Sequence, residues 1–337
     1  MTGTGRMELV CPAGTPATLR AAVEAGADAV YCGFRNETNA RNFPGLNFSP
    51  QELAEGVRFA HDHGARVLVA INTFARVGDV DLWRNAVDTA VRWGADAIIA
   101  GDIAVLDHVS RNHRDAVRLH LSVQAAASTP EAIGFYARTF GVRRVVIPRV
   151  LSVQEITALN KNIDVETEAF VFGGLCVMAE GRCSLSSWTT GLSPNMNGVC
   201  SPASHVSYET TPEGQDARLG GVLIHRTPAG GPAPYPTICK GAFTSPDGAG
   251  GRQTGHIFED PVSLDATFLI PMLQKAGVRA LKIEGRQRSR AYVAQVVRTF
   301  RAAVEAADRG AEMPVGALAK LTEGQASTTG SYAKIWR

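Results

Sequence analysis

A chain of 337 residues, 45% hydrophobic and 20% charged, has the composition of a folded globular protein with a large core. Its formal net charge of +2 offers no bulk electrostatic case for binding nucleic acid or a membrane surface. No run of about 18 apolar residues occurs, and the N-terminal MTGTGRMELVCPAG lacks an apolar signal-peptide core, so a cytoplasmic protein without a membrane span is expected.

In chain order, one phrase recurs: a helix stops at a glycine and an apolar strand follows. It is legible in RAAVEAGADAVYCG, FAHDHGARVLVAIN, AVRWGADAIIAGD, ARTFGVRRVVIPR and LQKAGVRALKIEGR. Glycine just past a helix supplies the left-handed cap at little steric cost. The spacing predicts strands at 8–11, 28–32, 66–71, 96–100, 117–122, 143–147, 165–171 and 278–283. Helices fall between them at 16–25, 50–63, 80–93, 103–113, 129–140 and 152–161, and a long amphipathic helix closes the series at 289–310. Runs such as VLVAI and AIIA are apolar throughout, as strands covered on both faces are. Eight such units predict an α/β fold, a (β/α)8 TIM-like barrel, in preference to a doubly wound open sheet, because no G-x-G-x-x-G follows the first strand. The division expected is a barrel with its first seven strands at 7–173, a cysteine-rich insertion at 174–262, and the last barrel unit with a C-terminal tail at 263–337. The polar tail LTEGQASTTGSYAKIWR is expected to lie extended over the surface, and β material is expected in the insertion at HVSYET and GGVLIHR.

Chemistry in such barrels gathers at the C-terminal ends of the strands. Polar residues at those ends are therefore candidates: Asn72, Asp102, Gln124, Arg149, Glu284 and Arg286, joined by Asn39, Arg41 and Asn42 from the loop after the second strand. Taken singly, each is as easily a loop cap or a solvated charge; recurrence at separate strand ends favours a site.

Six cysteines in a reducing compartment point to metal, cluster or catalytic use rather than to disulfides. Cys11 and Cys32 sit inside apolar strands and read as small buried hydrophobes. Cys176, Cys183, Cys200 and Cys239 fall in the glycine-rich insertion with gaps of 6, 16 and 38 residues. The C-x2-C knuckle usual for zinc is absent, and no histidine is tied by spacing to a particular thiol. Dispersed thiols flanked by Gly173, Gly174 and Gly181 suit an iron–sulfur cluster. Zinc and unligated thiols remain the alternatives at this point.

ELVCPAG, GADAVYCG, NARNFPGLNF and KIEGRQRSRAYV resemble the collagenase-like U-type peptidases. GGLCVMAEGRCSLSSWTTG, GVCSPA and PTICKG are more closely similar to one branch of that family, the iron–sulfur subunits (UbiU) of an O2-independent ubiquinone-biosynthesis hydroxylase. The likeness runs from about Met7 to Trp336. It implies a [4Fe–4S] cluster on Cys176, Cys183, Cys200 and Cys239, and a heterodimer with a homologous UbiV subunit. It further implies hydroxylation of the aromatic ring of a ubiquinone precursor and an accessory UbiT-like lipid carrier. Other members hydroxylate tRNA or ribosomal RNA bases, with prephenate implied as the oxygen donor. On that reading Arg149, Arg286 and Arg41 would bind the donor's carboxylates, and Glu284 would orient an arginine or handle a proton. Asn39, Asn42, Asn72 and Gln124 would contact substrate. The near-neutral charge weighs against nucleic acid as partner. A peptidase is disfavoured, since neither a Ser/His/Asp arrangement nor H-E-x-x-H is present.

Overall fold

A computed structural model describes residues 6–178, 183–195, 200–231, 233–322 and 326–333. Eight parallel strands run around a closed ring: β1 Glu8–Pro12, β2 Ala29–Cys32, β3 Arg66–Ala70, β4 Ala97–Ala100, β5 Arg118–Leu121, β6 Arg144–Val146, β7 Glu166–Gly174 and, late in the chain, β14 Ala280–Ile283. β14 pairs with both β1 and β7, which closes the barrel. The helices α1 Pro16–Glu24, α2 Pro50–Asp62, α3 Asp81–Arg92, α4 Ile103–Asn112, α5 Pro130–Phe140 and α6 Val153–Asn160 alternate with the strands. The closing helix α9, Arg290–Arg309, packs against α1. This is the (β/α)8 barrel that the strand count predicts.

Local chemistry sets the helix starts. Thr15, Ser49 and Ser152 form capping boxes with Thr18, Glu52 and Glu155, and Pro16 and Pro50 supply the first helical residue of α1 and α2. Asp102 caps α4 through the amides of Ala104 and Val105, so this candidate is a helix cap. Alternate strand residues fill two separate cores. Val10, Ala29, Tyr31, Leu68, Ala70, Ala97, Ile99 and Ala280 face into the barrel. Leu9, Val30, Val67, Ile98 and Leu281 face out beneath the helices, which is why these strands read as unbroken apolar runs.

Between β7 and β14 the chain builds structure that the sequence pattern shows only in part. A short helix α7, Leu185–Thr190, precedes a three-stranded antiparallel sheet of β8 Val206–Thr211, β9 Gly214–Leu219 and β10 Val222–Thr227. A hairpin of β11 Ala242–Pro246 and β12 Arg252–His256 follows. β13, Ser263–Asp265, then runs antiparallel to the far end of β7, and α8, Ile270–Lys275, leads into β14.

The tail departs from expectation. Instead of lying extended on the surface, β15, Ser327–Thr328, pairs with β13, and Tyr332 is buried with its hydroxyl donating to the Phe170 carbonyl at 2.6 Å. A single aromatic in a polar stretch carries that docking, and a period-based reading gives it no weight. Gly181 and Trp336 lie outside the described residues.

Candidate functional site

The C-terminal strand ends and the inserted segment enclose a cavity of about 620 Å³. Arg41, Asn72, Gln124, Arg149, Glu284 and Arg286 line it, together with Cys176, Cys200 and Cys239. The structure thus gathers onto one space residues that lie as much as 245 positions apart, from Arg41 to Arg286 (286 − 41).

Glu284, one residue past β14, is held between two guanidiniums. Arg41 Nη2 donates to its Oε1 at 2.9 Å, and Arg149 donates to its Oε2. Burial opposes the charge on Glu284, but Arg149 and Arg41 outweigh it and hold the carboxyl down at about 2. The Arg149 guanidinium carbon also stands over the Phe170 ring, 3.6 Å from its centre. These contacts fix both arginines on the cavity wall.

Arg286 differs. It is 6% exposed, yet Nε and Nη1 have no hydrogen-bond partner among the described residues. Burial pushes its guanidinium down to about 10, an unusual state for an arginine. Gly14 and Gly33 allow this packing: a Cβ on Gly14 would meet the Arg286 carbonyl oxygen at 1.8 Å, and one on Gly33 would reach Nη1 at 3.0 Å. A buried cation with unused donors is costly to keep without an anionic partner.

Other sequence candidates take supporting positions. Asn72 accepts the Ala40 amide at 2.9 Å and donates to Ser122, so it ties the Arg41 loop to β5. Asn39 is wholly buried, does not line the cavity, and accepts the Arg41 amide at 2.9 Å. It therefore positions Arg41 from behind the cavity wall. Asn42 is half-buried and absent from the lining. Gln124 is buried at the wall with its Oε1 unpartnered among the described residues.

The pattern reading misses Tyr31 and Lys282. Lys282 Nζ donates to Glu168 at 2.6 Å and sits 3.9 Å from the centre of the Tyr31 ring, whose hydroxyl donates to the Ile283 carbonyl at 2.9 Å. Burial lowers the Lys282 pKa, and Glu168 works against that shift. The available clue is a charged residue at the inward position of an otherwise apolar strand, ALKI.

The four late cysteines are half-buried and unpaired by disulfide. Burial, then charge on Cys176, Cys200 and Cys183, raises the Cys239 thiol to about 12, with Lys240 working against them. Four thiols that feel one another electrostatically, three of them on the cavity wall, make an all-sulfur donor set suited to a soft metal centre. Cys11 and Cys32 are wholly buried in β1 and β2, and burial raises both thiols.

Fold and mouth together define a closed (β/α)8 barrel with an arginine-rich, thiol-rimmed cavity at its C-terminal end. The chain belongs to Peptidase family U32, whose profile matches residues 14–330. It is 31% identical over 303 residues to the "tRNA hydroxylation protein P1" of Bacillus subtilis (strain 168), covering 90% of this chain and 64% of that protein. To the "tRNA hydroxylation protein P" of Escherichia coli (strain K12) it is 32% identical over 318 residues, covering 90% and 69%. To the "23S rRNA 5-hydroxycytidine C2501 synthase" of Escherichia coli (strain K12) it is 30% identical over 304 residues, covering 89% of this chain and 40% of the relative. The family therefore holds proteins named for base hydroxylation beside those named as peptidases. Among the described residues no helix is long and apolar enough to cross a membrane.

Proposed function

We propose that this chain is the [4Fe–4S] subunit of an O2-independent hydroxylase acting on the aromatic ring of a ubiquinone precursor. Cys176, Cys183, Cys200 and Cys239 would hold the cluster, which supplies single-electron transfer when bound. The residues fit: the donor set is all sulfur, and three of the four thiols, Cys176, Cys200 and Cys239, line a cavity large enough for one ring and a small co-substrate.

The observation that carries the reading is Arg286. Its buried, partly unpartnered guanidinium faces a cavity that also holds Arg41 and Arg149, which share the single carboxylate of Glu284, and Lys282, which is paired with Glu168. Such a surplus of cations binds an anion, and a prephenate-like dicarboxylate, the proposed oxygen donor, matches it in charge and in the planar fork of each carboxylate. Glu284 keeps Arg41 and Arg149 aimed, and Tyr31 and Phe170 give the ring an apolar wall. A UbiV-type partner subunit and a UbiT-like lipid carrier are part of the proposal; the carrier would shield the isoprenoid tail.

A second reading takes an RNA base as the ring, favoured by the names of the two tRNA-hydroxylation relatives. The net charge of +2 weighs against it, because phosphate binding calls for a basic surface. A peptidase is the weakest reading: no histidine or aspartate is among the described residues lining the cavity.

Anaerobic purification with the partner subunit tests the cluster through iron and sulfide counts and electron paramagnetic resonance. A colourless, zinc-loaded protein rejects it. Incubation with prephenate and either a ubiquinone precursor or unmodified RNA then separates the two substrates. Hydroxylation confined to the RNA overturns the quinone reading.

A further inference from the structure

Away from the cavity, three potential metal donors meet on the outer helical layer. Asp88 lies on α3, His108 on α4, and His113 is the residue that ends α4. The Nε2 atoms of His108 and His113 lie 2.7 and 2.6 Å from the same carboxylate oxygen, Asp88 Oδ1. The two rings meet edge to face with centres 5.6 Å apart, so both nitrogens converge without the rings stacking. All three ligand atoms lie within 4.8 Å of one another.

With no ion between them, two imidazoles aimed at one carboxylate oxygen are held to it by hydrogen bonds from Nε2–H. The same three atoms are also the set of two histidines and one carboxylate that binds zinc through three protein ligands and leaves a fourth position for water. We propose that Asp88, His108 and His113 bind a divalent transition metal, with zinc the best-matched ion.

Two features support this beyond residue type. Side-chain exposures of 39% for Asp88, 15% for His108 and 20% for His113 leave the ligands ordered by packing yet reachable from solvent. Zinc–ligand bonds of about 2.0–2.1 Å in a tetrahedron set ligand atoms about 3.3 Å apart, so the two histidine–aspartate contacts open by about 0.6–0.7 Å to admit the ion.

The helices run opposite to the strands, so the C-terminal halves of α3 and α4 sit at the barrel end remote from the cavity. A metal there staples two neighbouring helices and takes no part in ring chemistry.

Zinc-soaked crystals of the full chain, measured across the zinc absorption edge, should show anomalous density within bonding distance of all three ligand atoms. Absence of that density overturns the proposal. In solution, the four cysteines also take zinc, so the comparison is between the wild type and a His108→Gln/His113→Gln variant that retains them. Zinc affinity at the site should fall at least about tenfold, since loss of a mere supporting partner costs that much. Cobalt(II) in the wild type should add an absorption band without thiolate charge transfer that the variant lacks. Identical cobalt spectra for the two proteins count against the site even if both bind metal through sulfur.

Discussion

At the scale of single residues, Arg286 concentrates the tension between stability and use. A buried guanidinium with two idle donor atoms destabilises the free protein, whereas the same group bonded to a carboxylate contributes a strong charge-assisted pair. Arg286→Met should therefore act in opposite directions. The free protein should gain about 1 kcal/mol or more, read as a raised urea midpoint. Affinity for a dicarboxylate such as prephenate should fall about 10–100-fold by calorimetry, the equivalent of losing one charged hydrogen-bonding partner. A variant that is both less stable and unchanged in binding would show Arg286 to be a structural cation. Arg149 and Arg41 are poor subjects for this test, because each is already committed to Glu284.

At the scale of elements, β7 and β14 carry both the barrel closure and the cavity floor. Glu168 is fully buried between Lys282 at 2.6 Å and Arg144 at 3.5 Å, and Arg144 reaches on to Glu8 and Glu166. Glu168→Gln removes the shared anion and leaves Lys282 buried without its counter-charge, beside an Arg144 that keeps Glu8 and Glu166. It should cost about 3–5 kcal/mol in a urea melt, the usual effect of breaking a buried pair from one side. The adjoining glycines on β7 are not equivalent. Gly173 has φ of +113°, and a Cβ there would stand 2.5 Å from the Glu284 carbonyl oxygen. At Gly174 the nearest atom would be Glu284 Oε2 at 3.8 Å, ordinary contact. Gly173→Ala should cost about 2 kcal/mol or more and displace Glu284, while Gly174→Ala stays nearly neutral; matched melts of the two variants decide it. In the sequence the pair GG reads as room for a cluster. The structure gives the first of them a nearer reason, the close approach of β14.

At the scale of the whole molecule, what the sequence discloses is what local pattern encodes. The eight strands and the helices between them are legible because each strand is apolar on both faces and helices stop at glycine. The positional rule for barrels then brings Arg149, Glu284, Arg286, Asn72 and Gln124 to one cavity. Illegible are features that depend on pairing at a distance. β9, GQDARL, hides as a mixed-charge stretch because Asp216 is buried against Arg218 and Arg226. The interior ion pair of Lys282 with Glu168 joins residues 114 positions apart. His120 belongs to that hidden interior and governs the last prediction. It is 2% exposed inside the barrel, neither ring nitrogen has a partner among the described residues, and burial, then Arg144, Arg118 and Lys282, hold its pKa well below the ordinary value. The folded ring stays neutral where the unfolded one takes a proton, so the unfolded state binds more protons. Stability is thus fully present above about pH 6.5 and declines as the pH falls toward the folded pKa, by up to about 1.4 kcal/mol per pH unit. His225, lowered to about 4 by burial, then by the nearby His256 and Lys240, adds a contribution of the same sign. Glu8, whose carboxyl is also held low, loses its contribution only in the more acidic carboxylate range. His120→Gln should flatten the stability profile between about pH 6.5 and 5, measured by urea melts at stepped pH, without changing its slope above pH 7. An unchanged slope in the acid range would mean that the folded barrel protonates His120 as readily as the unfolded chain does.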